Sequence, residues 1–186
     1  MKKILIITAH PSNEGFTHKI AKASKDSSIL KGDEVEILDL YQTELKQDFL
    51  AFVQVKNFPK TENTLKIQEK INYADELIFI SPIWWGDAPA IMKNFFDTSF
   101  SAGFGFKYED GKPIKLLKGK TAKVFFTCDG PGFFYRFPFV SLKTNWKIAR
   151  LGFCGIKVTH FEIFDKMKNR DEKNRIKILE KISKLN

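Results

Sequence analysis

The chain has 186 residues, 43% of them hydrophobic and 28% charged, which suits one soluble globular domain with one buried core. Its net charge is +9, yet the arginines are only Arg136, Arg150, Arg170 and Arg175, and the lysines are spread without a dense run. That pattern argues against a nucleic-acid reader and against an acidic electron shuttle, and reads as a solvated surface that also attracts anionic nucleotides.

The start, Met1-Lys2-Lys3 followed by Ile4–Ala9, is too short an apolar run for a signal peptide, and His10-Pro11-Ser12-Asn13-Glu14-Gly15 follows it directly. Ile4–Thr8 reads instead as a buried central strand. A helical pattern runs from Gly15 to Lys31, with Phe16, Ile20, Ala23 and Ile29–Leu30 among Lys and Ser. Glu34–Leu40 alternates and reads as an edge-type strand. Tyr41–Pro59 is a mixed connection with a short helix expected around Phe49–Val53. Thr61–Tyr73 is helical through Leu65, Ile67 and Ile71, and Glu76–Ser81 is the clearest buried strand.

Ala88–Ser99 reads as a helix with Pro89 in its first turn, where a missing N–H costs little. Ala102–Gly119 is a loop or small hairpin turning at Glu109-Asp110-Gly111-Lys112. Ala122–Cys128 is a strand, Phe139–Leu151 a helix, Ile156–Phe161 the last strand, and Asp171–Leu185 a terminal amphipathic helix. Strands alternating with helices imply an α/β sandwich of three layers around a parallel sheet. Right-handed crossovers leave the five-stranded order 2-1-3-4-5 as the commonest at this size. No stretch is long enough to cross a membrane, so the expectation is a cytoplasmic protein of one domain spanning residues 1–186. Cys128 and Cys154 make neither a CxxC pair nor a zinc spacing; they fit a reducing compartment and read as inert buried residues.

In such a sheet the ligand binds beyond the carboxyl ends of the strands, where strand order reverses. Three segments fall there. After the first strand, Thr8–Thr17 lacks GxGxxG and GxxxxGK[ST], so it is neither a dinucleotide turn nor a P-loop. Its hydroxyls, amides and helix start suit a phosphate held by His10, Ser12 and Thr17; the alternative is a plain helix cap by Ser12 or Asn13. After the third strand, Trp84 and Trp85 are adjacent in a loop and cannot easily both point inward. They offer a flat apolar wall, with Gly86 allowing close backbone approach; the alternative is a turn whose Trp cover the core. After the fourth strand, Thr127–Tyr135 is turn-rich. Gly130 and Gly132 allow close approach there, and Tyr135 can donate a hydrogen bond or pack with its hydroxyl at the surface. His10, His18 and His160 make no metal spacing, and His18 is expected on the exposed part of the first helix. No GxSxG elbow or carboxylate pair supports hydrolysis. The many Phe, 19 in all, fill the core and line an apolar pocket for a flat ligand.

These residues carry a resemblance. The run from Ser81-Pro82-Ile83-Trp84-Trp85-Gly86-Asp87-Ala88-Pro89-Ala90-Ile91-Met92-Lys93 to Asn94-Phe95-Phe96-Asp97 resembles the P-x-x-W-x-x-x-P-A-x-[LM]-K-x-[FW] signature of the flavodoxin-like NAD(P)H dehydrogenase (quinone) family. Ser101-Ala102-Gly103-Phe104-Gly105-Phe106, His10 with Phe16, Asp39-Leu40-Tyr41 and Leu151-Gly152-Phe153-Cys154-Gly155 are similar to further segments of that family. The likeness spans roughly residues 3 to 160, and the Trp–Pro–Ala–Lys run is its specific part.

The resemblance implies a flavodoxin-like fold and a non-covalent flavin, with NAD(P)H and a quinone or similar small acceptor using one face in turn, and a homodimer. FMN is favoured over FAD because Asp129 replaces a family Gly and the chain lacks a C-terminal extension. Carried over by position, His10, Ser12, Phe16 and Thr17 would hold the flavin tail. Pro82, Ile83, Trp84 and Trp85, with Thr127, Asp129 and Gly130, would hold its ring. Trp85, Gly86 and Phe133 would meet the acceptor. Tyr135 would be the catalytic residue, although Phe137-Pro138-Phe139-Val140-Ser141 lacks the His that accompanies it in relatives. A flavodoxin-type electron carrier would have the same fold and cofactor but an acidic surface, unlike this one, and a flavin-binding regulatory subunit would form a stable complex with a membrane transporter, which a basic surface allows.

Overall fold

The structure, a computed structural model, describes residues 1–54, 58–135 and 141–185. The chain forms β1 (Lys3–Thr8), α1 (Phe16–Leu30), β2 (Glu34–Asp39), α2 (Glu62–Tyr73), β3 (Glu76–Pro82) and α3 (Ala90–Ser99). A hairpin of β4 (Phe106–Glu109) and β5 (Lys112–Lys115) follows, then β6 (Thr121–Thr127). A helical stretch of α4 (Leu142–Thr144), a π-helical segment (Asn145–Arg150) and α5 (Leu151–Cys154) leads to β7 (Lys157–Phe164) and α6 (Glu172–Leu185). The main sheet is all parallel, in the order β2-β1-β3-β6-β7, which is the expected 2-1-3-4-5 arrangement.

The period-two geometry of a strand explains why the central strands are apolar on both faces through Ile4–Ile7, Leu77–Ile80 and Val124–Phe126. Leu5, Ile7, Leu77, Phe79, Val124 and Phe126 face one core, packed by Ile67 and Ile71 of α2 and by Met92 and Phe95 of α3. Ile4, Ile6, Ile78, Ile80 and Phe125 face the other, against Ile20 of α1 and Ile178 and Ile182 of α6. Phe79, Phe95, Phe96, Phe100, Phe126 and Trp146 give the first face an aromatic cluster. Trp146 is fully buried, with its ring centroid 5.5 Å from Phe79 and 5.2 Å from both Phe96 and Phe126.

Four expectations change. Phe49–Val53 forms no helix. Phe49 and Val53 are exposed, and so short a helix has no buried face to offset its nucleation. Instead Asn94 Nδ2 donates to the Gln47 carbonyl at 2.8 Å and tethers the connection. The helix expected over Phe139–Leu151 is broken into three pieces and runs on to Cys154; residues 139–140 lie outside the described residues. Its π turn brings the Lys147 carbonyl so close to Gly152 that a Cβ there would collide with it, and apolar periodicity does not distinguish such a turn from an α-helix. α3 starts at Ala90, with Pro89 as its N-cap rather than inside it. The last strand extends to Phe164, three residues beyond its expected end at Phe161.

Gly152→Ala is expected to lower unfolding stability by about 1–3 kcal/mol, the cost of forcing an added methyl into a packed position. Urea denaturation reads this, and an unchanged midpoint would show that the π turn can absorb a Cβ.

Candidate active site

From β1 the chain crosses to β2 on one side and returns to β3 on the other. Their carboxyl ends therefore splay apart and open a crevice. A cavity of about 480 Å³ lies there, within the range of about 300–1,000 Å³ that holds a small cofactor.

The first wall is the start of α1. Its N-cap is Gly15, with no side-chain cap and no acidic residue in the first turn. Neither Ser12 nor Asn13 caps the helix, so the positive end of its dipole faces the crevice without a side-chain acceptor. His10, Phe16 and Thr17 line the cavity. Ser12 does not: it is exposed, with its amide nitrogen and carbonyl oxygen each 3.0 Å from His10 Nδ1. Gly15 allows this curl, because a Cβ there would sit 2.7 Å from that nitrogen. His18 is not on an exposed face. It is half-buried, and its Nε2 lies 2.7 Å from Asp39 Oδ2 at the end of β2.

The second wall is the turn after β3. The Ile83 N–H donates to the Thr127 carbonyl at 2.8 Å and holds Pro82 and Ile83 on the crevice. The Trp84 N–H donates to the Asp87 carbonyl at 2.7 Å, and the Asp87 N–H donates back at 3.1 Å. Between them Trp85 and Gly86 both have left-handed φ, 51° and 82°, the geometry of a two-residue type I′ turn. Such a φ on a bulky aromatic stores about 1–3 kcal/mol of strain. The turn sends the two Trp apart. Trp84 is 44% exposed and lines the cavity, whereas Trp85 is 103% exposed and projects into solvent. Gly86 borders a separate recess of about 400 Å³ beside Leu142 and Ile148.

The third wall follows β6, where Thr127, Cys128, Asp129 and Gly130 line the cavity. This loop is stitched to the connection after β7. Cys128 N–H donates to the Phe164 carbonyl at 2.9 Å, Met167 N–H to the Cys128 carbonyl at 3.1 Å, and Lys168 N–H to Asp129 Oδ1 at 2.7 Å. Gly132 N–H donates to Asp165 Oδ2 at 2.9 Å, and Arg170 braces the same carboxylate at 3.2 Å. Tyr135 lines this cavity and a neighbouring one of about 610 Å³; burial raises its hydroxyl pKa, keeping it protonated and able to donate. Phe133 does not reach the crevice: it is half-exposed and stacks on Phe134 at 4.8 Å. The stretch Phe137–Val140, where the companion His is missing, lies outside the described residues.

A family model described as a flavodoxin-like fold matches residues 2–185. The chain belongs to this flavodoxin-like family. It is similar to a Haemophilus influenzae protein named as an uncharacterized NAD(P)H oxidoreductase, with 30% identity over 182 residues, or 95% of this chain and 90% of that one. It is also 30% identical, over 141 residues, to an FMN-dependent NADH:quinone oxidoreductase of Bacillus velezensis; the match covers 66% of this chain and 67% of the relative. Among solved structures, Smu.1420 from Streptococcus mutans UA159 matches with a TM-score of 0.82 and 30% identity, covering 98% of this chain and 97% of that one.

The crevice of this flavodoxin-like chain also contains residues that sequence reasoning missed: Met167, Lys168 and Arg175. Arg175 Nη2 donates to the Met167 carbonyl at 3.0 Å, its guanidinium lies 5.9 Å from the Phe16 ring, and its Nε is buried without a partner. The signal was the rule already applied to the other strands, since these residues follow the fifth strand of the sheet. Cations and an uncapped helix start on one side of the crevice, with Trp84, Phe16 and Tyr135 around it, make a donor set that suits a planar ring carrying an anionic tail. Both cysteines are buried, and burial pushes each thiol up to about 11, so neither is a thiolate nucleophile at neutral pH.

Two carboxylates around the site titrate low. For Asp87, burial alone would raise the pKa, but hydrogen bonds from Arg150, Trp146 and the Ala88 amide hold it below the ordinary value. For Asp165, the Gly132 amide is the main cause, opposed by burial and assisted by Arg170. A carboxylate with a depressed folded pKa adds stability above its unfolded value, about 4, and loses it as pH falls through the folded value. Unfolding stability should therefore decline below about pH 4, and Asp87→Asn should be less stable at neutral pH with a shallower acid decline. Denaturation midpoints across pH read both, and an identical acid slope in the variant would exclude Asp87 from the effect.

Proposed function

We propose that this chain is an FMN-dependent oxidoreductase that takes two electrons from NADH or NADPH and gives them to a quinone or a similar small acceptor. The observation that carries the reading is the crevice at the β1/β3 reversal, where a flat aromatic wall faces two cations and an uncapped helix start. Family membership and the relatives' names support it.

In this reading the whole chain acts as one flavin-binding domain. Thr17, His10 and Phe16 at the start of α1, with Lys168 and Arg175, hold the phosphate tail. Pro82, Ile83 and Trp84 frame one side of the ring, and Thr127, Asp129 and Gly130 approach its polar edge. Bound there, FMN supplies the centre that accepts a hydride and returns two electrons. The Tyr135 hydroxyl, kept protonated by burial, would be available to donate a hydrogen bond into the site, as fixed dipoles do best in a desolvated site. The Trp84 wall and the β6 loop exclude water from the ring. NAD(P)H and the acceptor occupy the open face in turn, so the kinetics are ping-pong. Trp85, on the rim of that face, meets the flat acceptor, and a homodimer would complete the rim around the exposed Trp85, Phe133 and Ile148. Among the described residues no helix is long and apolar enough to cross a membrane, which fits diffusible substrates and a cytoplasmic location.

The test is NAD(P)H oxidation by the FMN-loaded protein with a quinone acceptor. Parallel double-reciprocal lines are expected, and no quinone-dependent oxidation with either nucleotide would defeat the proposal. In the same assay Trp85→Ala should raise the acceptor KM several-fold while the unfolding midpoint stays unchanged, on the scale of about 0.5–1.5 kcal/mol for an aromatic stacking contact. Unaltered kinetics in that variant would remove Trp85 from the acceptor site.

A further inference from the structure

Trp85 is fully exposed on a left-handed φ. A strained residue of this kind persists only where its surroundings over-determine it. With its whole ring in solvent, side-chain burial cannot be what holds it. The restraint comes from two residues on. The Asp87 carboxylate accepts from the Ala88 N–H at 2.7 Å, from Trp146 Nε1 at 3.0 Å and from Arg150 Nη1 at 2.9 Å, and Arg150 Nη2 makes a second contact with its other oxygen. The partners are anchored in turn. Trp146 is fully buried among Phe79, Phe96 and Phe126, and the Arg150 guanidinium lies 5.0 Å from the Trp146 ring and 5.7 Å from Phe96. Both belong to the π-helical segment, a local irregularity often found at functional sites. The rim turn is thus bolted to the aromatic core through one carboxylate held by a two-pronged guanidinium.

We propose that Asp87, Arg150 and Trp146 form a positioning clamp that fixes the backbone of the turn from which the Trp85 side chain projects toward a flat acceptor, and so set acceptor affinity without touching the acceptor. This rests on the proposed function: that Trp85 borders the acceptor site. The clamp specifies what kind of acceptor the site favours, a rigid planar one that gains from a wall already in place, since a preformed contact spares the cost of ordering it on binding.

Arg150→Met tests the clamp, because Met keeps the apolar stem and suits a helix while Asp87 remains in contact with solvent. Arg150→Lys keeps the charge but loses the planar fork. Hydrogen exchange of the Trp84 and Asp87 amides, measured on the protein before any acceptor is added, is expected to speed up at least about tenfold in Arg150→Met, which removes both charge-assisted hydrogen bonds to Asp87. The KM for a planar quinone should rise about fivefold, with kcat and FMN affinity within twofold of wild type, and Arg150→Lys should fall between. A merely structural role predicts instead that FMN affinity falls together with the KM change. That pattern, an unchanged KM beside faster exchange, or unchanged exchange in the turn, would each overturn the proposal. A wild-type protein that neither takes up FMN nor turns over quinone would overturn the reading of the site itself and the acceptor role with it. The exchange measurement tells the two failures apart, because it reports on the turn alone.

Discussion

One constraint governs this molecule: with right-handed crossovers, the face that a connection covers depends on which way the chain moves across the sheet, and that direction reverses at β1. β1 pairs with β2 on one edge and β3 on the other, so the helices that follow β1 and β3 pack on opposite faces of the sheet and leave a gap at the carboxyl ends of the two strands. The uncapped start of α1, the Trp-bearing turn and the β6 loop all reach that gap because they begin where those strands stop. The same geometry brings the β7–α6 connection alongside, stitched to the β6 loop by hydrogen bonds with the Cys128 backbone and the Asp129 carboxylate. A crevice with a helix dipole at one end and aromatic walls follows from the topology before any one residue is specialised for chemistry.

The rigidity of the site has a second source. The aromatic cluster under β3 and β6 is packed around Trp146, and its indole N–H, unlike its ring, needs a polar partner. Asp87 provides it and in doing so connects the core to the rim. Loops that carry chemistry work when a stiff scaffold positions them. Here the connection is short enough to name: β3, Trp84, Asp87, Arg150, and the π turn that aims Arg150 and Trp146 at one carboxylate.

Much of the fold was legible in the sequence. Ile4–Ile7 and Leu77–Ile80 are continuous apolar runs because both faces of their strands are buried, and that burial leaves an unmistakable trace. The expected 2-1-3-4-5 order followed from alternation and handedness. Phe49–Val53 misled because an apolar segment with no face to bury looks like a short helix until its packing is known. The π turn left no periodic mark, and only Gly152, pressed against the Lys147 carbonyl, betrays it. In the site, the segments after β1, β3 and β6 were readable from chain order, yet which of two adjacent Trp turns inward depends on a left-handed turn that residue type alone does not announce. Lys168 and Arg175 were missed because they lie far along the chain, brought back by the hydrogen bond from Lys168 to the β6 loop and by α6 folding beside α1.

The most direct measurement is a titration of the purified chain with FMN, followed by the visible spectrum and by quenching of flavin fluorescence. The account predicts a yellow protein that saturates at one FMN per chain, its bound absorption bands shifted and sharpened by an apolar aromatic wall. A protein that stays colourless, with flavin fluorescence unchanged at saturating concentration, would contradict it.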